Sequence, residues 1–382
     1  MIFKAPDLEI YIKDGLLILL MVSLLVQLIY LLFFQRRLSV YAPQEKASGE
    51  DIPVSVIISA RNEAKNLTEN LPAILEQDYP QFEVVVVNDC SFDGSEEILK
   101  NFSQKYSRLK VVTVTEHPRF KTGKKFALTM GIKAAAHEHL LFTDADCKPL
   151  SEHWITQMVA GFSTPATEIV LGYSPYEKKR GPLNALIRFE TIKTAINYFS
   201  AALRGKAYMG VGRNLAYKKS LFFASKGFAS HMHVLSGDDD LFVNENATPV
   251  NTSISINREA FMLSEPKKSF AAWVRQKKRH MGAGKLYKAE HKRMLTVEAV
   301  SAILFYSSLI LILCLGYNKE LLLALGLFLV RWIVQLIVYH KPFKRFMGGD
   351  MLWYLPIIDL VYYIYLVIFG LVGTFIKTTQ WK

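Results

Sequence analysis

Four apolar stretches bracket a middle section in which short β-branched runs alternate with polar, helix-periodic ones. Residues 15–34, GLLILLMVSLLVQLIYLLFF, carry no charge and are long enough to cross a hydrocarbon core of about 30 Å as a helix. The run is too long for a cleaved signal, and no small-residue cleavage site follows it, so a retained transmembrane helix is expected. Residues 297–315 and 321–339 form two further spans joined by the short GYNKE turn. Residues 351–376 form a last apolar run, in which Pro356 allows the first part to lie in the interface instead. Four spans are expected; three plus an interfacial helix is the alternative.

Between residues 52 and 146 the pattern changes to VSVIISA, FEVVVVND, LKVVTVT and HLLFTDAD. Such runs read as parallel strands buried on both faces, and the polar segments between them as helices. The middle is therefore expected to be a doubly wound α/β domain, whose ligands bind beyond the carboxyl ends of the strands. Several notable polar residues fall at those ends.

The last of these runs ends in Asp144 and Asp146, separated by one alanine. Strand alternation would put both on one face, where two carboxylates repel unless a cation or several donors compensate them. Mg²⁺ or Mn²⁺ suits the pair, because each takes oxygen ligands and can complete its shell with phosphate. Alone, the tripeptide fits a solvated loop tip as well. After the first strand Glu63 and Asn66 stand at a helix start, where an N-cap and a first-turn acid would also explain them. Asp89 ends the second strand, where a carboxylate can accept a hydrogen bond from a base N–H; Asp93, before Gly94, reads as a turn and capping residue. In KTGKKFALTMGI, Lys124 and Lys125 follow Gly123 at a helix entrance, which is either a phosphate-binding arrangement or a solvated lysine pair.

Taken in order, SARNE, NDCSFDGS, GKKFAL, TDAD, GRNLAY, GDDDL and QKKRH resemble a membrane-anchored family 2 inverting glycosyltransferase with the GT-A fold, over about residues 52–293. The resemblance implies a Rossmann-like nucleotide-diphospho-sugar transferase domain with transmembrane helices at both ends. It divides the chain into an anchor at 1–37, a nucleotide-sugar-binding half at 52–150, an acceptor-side half at 151–293 and C-terminal membrane helices at 296–376. It places Glu63 and Asp89 on the nucleoside of a UDP- or GDP-sugar, Lys124 on the diphosphate, and Asp146 with Asp144 on Mg²⁺ or Mn²⁺. In LSGDDDLF the catalytic base falls on Asp238; Gly237 stands where an acid is usual, so Asp239 remains a candidate, and an N-cap role for Asp238 is the bland alternative. MGVGRNLAYKKSLF matches the family's acceptor and sugar pocket, or is a plain hairpin. Gln276 and Arg279 fit the family's Gln-x-x-Arg-Trp motif at the diphosphate, with His280 in place of the Trp, which argues against strict polymerase behaviour. A basic interfacial helix is an equal reading of that segment.

Net charge is +12, but residues 265–293 alone hold ten Lys or Arg against two Glu just before a membrane span. Contact with anionic lipid accounts for this and nucleic acid is not expected. Cys90, Cys147 and Cys314 have no metal or redox spacing and read as reduced thiols. Arg36 and Arg37 follow the first span, and His291, Lys292, Arg293, Lys341, Lys344 and Arg345 flank the later ones, which places the domain on the cytoplasmic face of the inner membrane. The expected activity is metal-dependent transfer of a sugar to a glycan or lipid-linked acceptor, as in cell-envelope polysaccharide synthesis. The alternatives are a processive synthase and a non-catalytic sugar-nucleotide sensor. Inside the last two spans, Arg331 and Asp359 each lie fourteen residues from Arg345, so a helical hairpin would set them at one depth as an ion pair. If the Pro356 segment does not span, Arg331 snorkels alone.

Overall fold

The computed structural model describes residues 5–43, 52–115, 123–234, 236–315 and 318–375. Of the positions named above, Lys121, Thr122, Leu235, Gly316, Tyr317, Ile376 and the side chain of His280 lie outside the described residues. The chain divides into two compact units, residues 1–41 with 288–376, and residues 42–287.

The second unit is built on a seven-stranded mixed sheet. Its strands are β1 (Val54–Ala60), β2 (Phe82–Asp89), β3 (Leu109–Val114), β4 (His139–Asp144), β6 (Ile169–Leu171), β7 (Leu215–Lys218) and β8 (Thr252–Ile254), in the order β3-β2-β1-β4-β7-β6-β8. A separate pair joins β5 (Cys147–Pro149) to β9 (Met262–Ser264). The first four strands of the large sheet are parallel, and β7 runs antiparallel to both β4 and β6. The expected α/β fold of GT-A type is the one found. Val54, Val56 and Ile58 bury one face of β1 and Ile57 the other, which is why the run reads as continuously apolar. Leu67, Leu71, Ile74 and Leu75 recur at helical spacing along Ala64–Leu75 and form its buried face.

Two expectations need correcting. β4 stops at Asp144, and Ala145–Asp146 make a turn before β5, so strand alternation is not what relates the two carboxylates. The GRNLAY segment is not a hairpin: irregular chain leads into β7, and the helix Lys219–Ala224 follows directly.

In the other unit four helices are long and apolar enough to cross a membrane: Tyr11–Val40, Ala289–Leu315, Lys319–Arg345 and Gly349–Phe369. The first carries a π-helical stretch at Tyr30–Gln35, and the last begins with a 3₁₀ turn, Gly349–Tyr354, before the α-helix Leu355–Phe375. Pro356 is the second residue of that α-helix, where a missing N–H costs nothing. Arg331 and Asp359 are paired, Nη2 to Oδ2, at 2.9 Å. The same guanidinium donates to Gln27 at 3.1 Å, Tyr306 at 2.9 Å and Gln335 at 3.2 Å. The cluster therefore ties all four helices together, where the sequence argument reached only two of them.

Candidate active site

The carboxyl ends of β1, β2 and β4 carry the acids, and the loops that follow are held in unusual conformations. Asn62 after β1 and Cys90 after β2 both have positive φ, 55° and 53°, a region costly for residues with a Cβ. Cross-loop hydrogen bonds maintain them. Asn62 N–H donates to Ser91 Oγ at 2.9 Å, and Phe92 N–H donates to Asn62 Oδ1 at 3.0 Å. Asp93 accepts from the Ala64 N–H at 3.0 Å and from the Ser95 N–H at 3.1 Å. It is thus the cap that the turn reading expected, serving two helix starts at once. Burial opposes its charge, but these bonds and that of the Ser95 hydroxyl win and hold its pKa below the usual carboxylate value. Glu63 makes no side-chain cap at its own helix; its carboxylate accepts from Asn66. Asp89 is fully buried, with Arg61 Nη1 at 4.0 Å.

At the centre lies Lys124, the first residue of the helix Lys124–Ala134. Its ammonium stands 3.0 Å from Asp144 Oδ1 at the end of β4 and 3.0 Å from Asp238 Oδ2, just before the helix Asp240–Asn246. Burial disfavours the charge, yet Asp144, Asp238 and Asp239 outweigh it and raise the lysine pKa well above its ordinary value. Asp144 is affected in the opposite direction: burial would raise its pKa, but Lys124, with help from Arg213 and Arg279, lowers it. For Asp146 burial, followed by repulsion from Asp144, outweighs Lys267 and Arg213 and raises its pKa. Among the described residues no group of three or more His, Cys, Asp or Glu forms a metal cage. Lys124, Asp144, Asp238 and Asp239 border a small cleft that Thr143 and Gly212 also line.

The three consecutive acids are not equivalent. Asp239 is the N-cap of the helix Asp240–Asn246: Oδ1 accepts from the Asp240 N–H at 2.8 Å and Oδ2 from the Gly212 N–H at 2.6 Å. A Cβ on Gly212 would sit 3.2 Å from that Oδ2, so the close approach favours glycine. Asp240 accepts from its own helix, Leu241 N–H at 2.8 Å, and from the Tyr287 hydroxyl at 2.8 Å. Burial, then repulsion from Asp239, pushes its pKa up to about 8. Asp238 has Lys124 as its charged partner at contact distance among the described residues and faces the cleft. The capping role weighed for Asp238 therefore belongs to Asp239. Gly237 has φ +94°, and a Cβ there would lie 2.4 Å from Leu241 Cδ1, which explains why no acid occupies that position.

Gln276 and Arg279 are on the helix Phe270–Gly284. Gln276 Nε2 donates to the Tyr176 hydroxyl at 3.3 Å, and the Tyr176 ring carries the Arg213 guanidinium 4.4 Å from its centroid. Arg279 is close enough to lower the Asp144 pKa. Sequence reasoning missed Arg213. It saw GRN as a place for close backbone approach and gave the arginine no role, although a charge between a glycine and a buried asparagine was the available signal.

Comparison with known proteins follows the same lines. Residues 55–223 match the family described as Glycosyl transferase family 2. The glycosyltransferase AglE of Haloferax volcanii is 36% identical over 121 residues, which is 31% of this chain and 38% of that protein. The 4,4'-diaponeurosporenoate glycosyltransferase of Staphylococcus haemolyticus is 26% identical over 213 residues, 54% of this chain and 55% of that protein. The matched stretch thus spans well under two thirds of either relative. Among solved structures, the mannosyltransferase PcManGT from Pyrobaculum calidifontis, in complex with GDP-Man and Mn²⁺, superposes with a TM-score of 0.57 at 19% identity, over 89% of this chain and 98% of that one. At that identity the likeness is one of fold.

Proposed function

Because residues 55–223 form a family 2 glycosyltransferase domain of GT-A type, we propose that the protein transfers a sugar from a nucleotide-activated donor to a hydroxyl of a glycan or lipid-linked acceptor, inverting the anomeric centre. The observation that carries this reading is the convergence of Lys124, Asp144 and Asp238, from three distant parts of the chain, on one cleft. An inverting transfer is a single in-line displacement and needs one base. Asp238 is that base, since both oxygens of Asp239 are already held by backbone N–H groups. Asp238 takes the proton of the acceptor hydroxyl while its oxygen bonds to the anomeric carbon. The bond from that carbon to the diphosphate oxygen breaks, and the electron pair leaves with the nucleoside diphosphate. Lys124 and Arg279 offset the charge that develops there. Asp89 and Glu63 hold the nucleoside.

Asp144 and Asp146 fit a divalent ion. Mg²⁺ and Mn²⁺ are commonly held by one or two carboxylates plus phosphate and water, so a pair of carboxylates is a sufficient protein share of such a site. Burial and repulsion from Asp144 raise the Asp146 pKa, and a cation beside the pair would relieve that repulsion. A bound cation there supplies charge neutralisation to the diphosphate. The basic flanks at Arg36, Arg37, His291–Arg293 and Lys341–Arg345 favour a cytoplasmic catalytic domain on an inner membrane, with lipids as neighbours.

Thermal unfolding of the full chain in detergent tests the reading, with UDP-GlcNAc or GDP-Man added, with and without Mn²⁺. At least one donor should raise the Tm by several degrees only when Mn²⁺ is present. Asp146→Ala should lose that increment while keeping its own Tm. The absence of a shift with any sugar nucleotide would remove the donor-binding premise, and a Mn²⁺-dependent shift surviving in Asp146→Ala would remove the metal assignment.

A further inference from the structure

Lys125 is the second residue of the helix Lys124–Ala134, and it is 6% exposed. Its ammonium takes no part in the Lys124 ion pairs. Instead it donates to two backbone carbonyls, His231 O at 2.5 Å and Val234 O at 3.0 Å. Those carbonyls belong to the segment that leads through Gly237 to Asp238. The same segment is tied at its far end to another helix by Ser236 Oγ, which donates to Arg279 O at 3.0 Å. At its near end, Ser230 Oγ donates to Glu245 at 2.8 Å. A buried ammonium facing the carbonyls of a short 3₁₀ turn, Ala229–His231, and of Val234 just after it is a costly way to fill space, since methionine or leucine would do so without desolvating a charge.

We propose that Lys125 is a positioning residue for the transfer step: it fastens the 231–237 segment to the helix that presents Lys124, and so fixes where Asp238 stands relative to the donor. The inference rests on the reading of Asp238 as the base. The two neighbouring lysines then divide the work, one meeting carboxylates in the cleft and the other setting the backbone that delivers one of those carboxylates. The donor-side acids Asp89 and Asp144 end strands β2 and β4 and do not depend on this tether. Releasing it should therefore affect the chemical step and leave donor binding alone.

The test uses the full chain in detergent, with UDP-GlcNAc or GDP-Man and Mn²⁺ as donor, a membrane lipid extract as acceptor, and release of nucleoside diphosphate as readout. Lys125→Met should lower kcat by roughly 10- to 100-fold, the scale expected when a reacting group is misplaced by about an ångström, with donor KM within about twofold. Lys125→Arg, which keeps a charged donor, should recover most of the loss. Lys125→Met combined with Asp238→Asn should be no slower than Asp238→Asn alone, because the two act through one group. An unchanged kcat in Lys125→Met, or losses that multiply in the double variant, would overturn the proposal. Full transfer by Asp238→Asn would instead remove the base assignment itself, which is a separate result. Amide exchange gives a readout that needs no turnover: Lys125→Met, or Lys125→Gln if the first does not accumulate, should exchange faster over 228–241 and unchanged over β1 and β4. Unaltered exchange over 228–241 would also overturn it.

Discussion

Two of the places where a cation meets a carboxylate inside the fold, around Lys124 and around Arg331, are built on opposite terms. Around Lys124 the side chains retain partial access, 21% for the lysine and 29% for Asp144, and they border a cleft. Around Arg331 they are sealed, 2% for the arginine and 0% for Asp359. Both Nη atoms of Arg331 have two side-chain acceptors each, and Tyr306 donates a further bond to Asp359 at 2.8 Å. Arg331 also lies 5.1 Å from the centroid of the Phe305 ring. The first cluster can exchange partners when a phosphate or a cation enters; the second has nothing to exchange. Charge inside an apolar run marks function by default, but here both Nη atoms of Arg331 are held by side-chain acceptors and only its Nε is left without one among the described residues. The cluster among the long apolar helices reads as a fastening between them, and on the proposed function the cleft cluster serves the transfer.

The largest effect that could break this contrast is in the membrane unit. Arg331→Met strands Asp359 in an apolar bundle and should cost about 3–5 kcal/mol of stability, the range for removing one partner of a buried pair. Arg331→Met with Asp359→Leu should recover much of that, because replacing both charges by apolar groups is often neutral. Thermal unfolding in detergent measures both. If the single variant is as stable as the double, Arg331 is not a fastening. Next comes Asp238→Asn, which should cut transfer by about 10²-fold or more while sugar-nucleotide affinity is kept. If Asp239→Asn alone does this, with its helix still stable, then base and cap have been assigned to the wrong neighbours.

How much of this the sequence disclosed depends on the range over which each residue acts. β1 and β2 were readable to the residue, because parallel strands buried on both faces leave unbroken apolar, β-branched runs. β5, β6, β8 and β9 were not, since three residues carry no periodicity. β4 was drawn two residues too long, because DAD continues an apolar run without a glycine or proline to mark the turn. Lys124, Asp144 and Asp238 stood out as charges at element ends. Lys125 was read with Lys124 at the same helix entrance, but its own contacts were not legible, because its partners are carbonyls over a hundred positions away, and a carbonyl has no letter in the sequence. Arg331 and Asp359 were legible as charges in apolar spans, whereas Gln27 and Tyr306 looked like ordinary residues of their helices. A cost visible locally can be read from sequence; the group that meets it often cannot.

The smallest expected effect concerns the third acid of the run and sharpens the cleft side of the comparison. Asp240 is unlike its neighbours because its carboxyl is better kept protonated: burial and Asp239 push its pKa up to about 8, against a usual value near 4. A carboxyl whose folded pKa lies above its unfolded one binds its proton more tightly when folded. Its contribution to stability is therefore fully present below pH ~4, declines as pH rises, and is lost once pH passes about 8. Asn in its place keeps an acceptor for the Leu241 N–H and a polar partner for the Tyr287 hydroxyl but cannot ionise. The Tm of the unmodified protein should thus fall relative to that of Asp240→Asn as pH is taken from 5 to 8, and the gap should stop growing above 8. A gap independent of pH would mean that Asp240 is ionised in the folded protein throughout, and that burial beside Asp239 does not hold its proton.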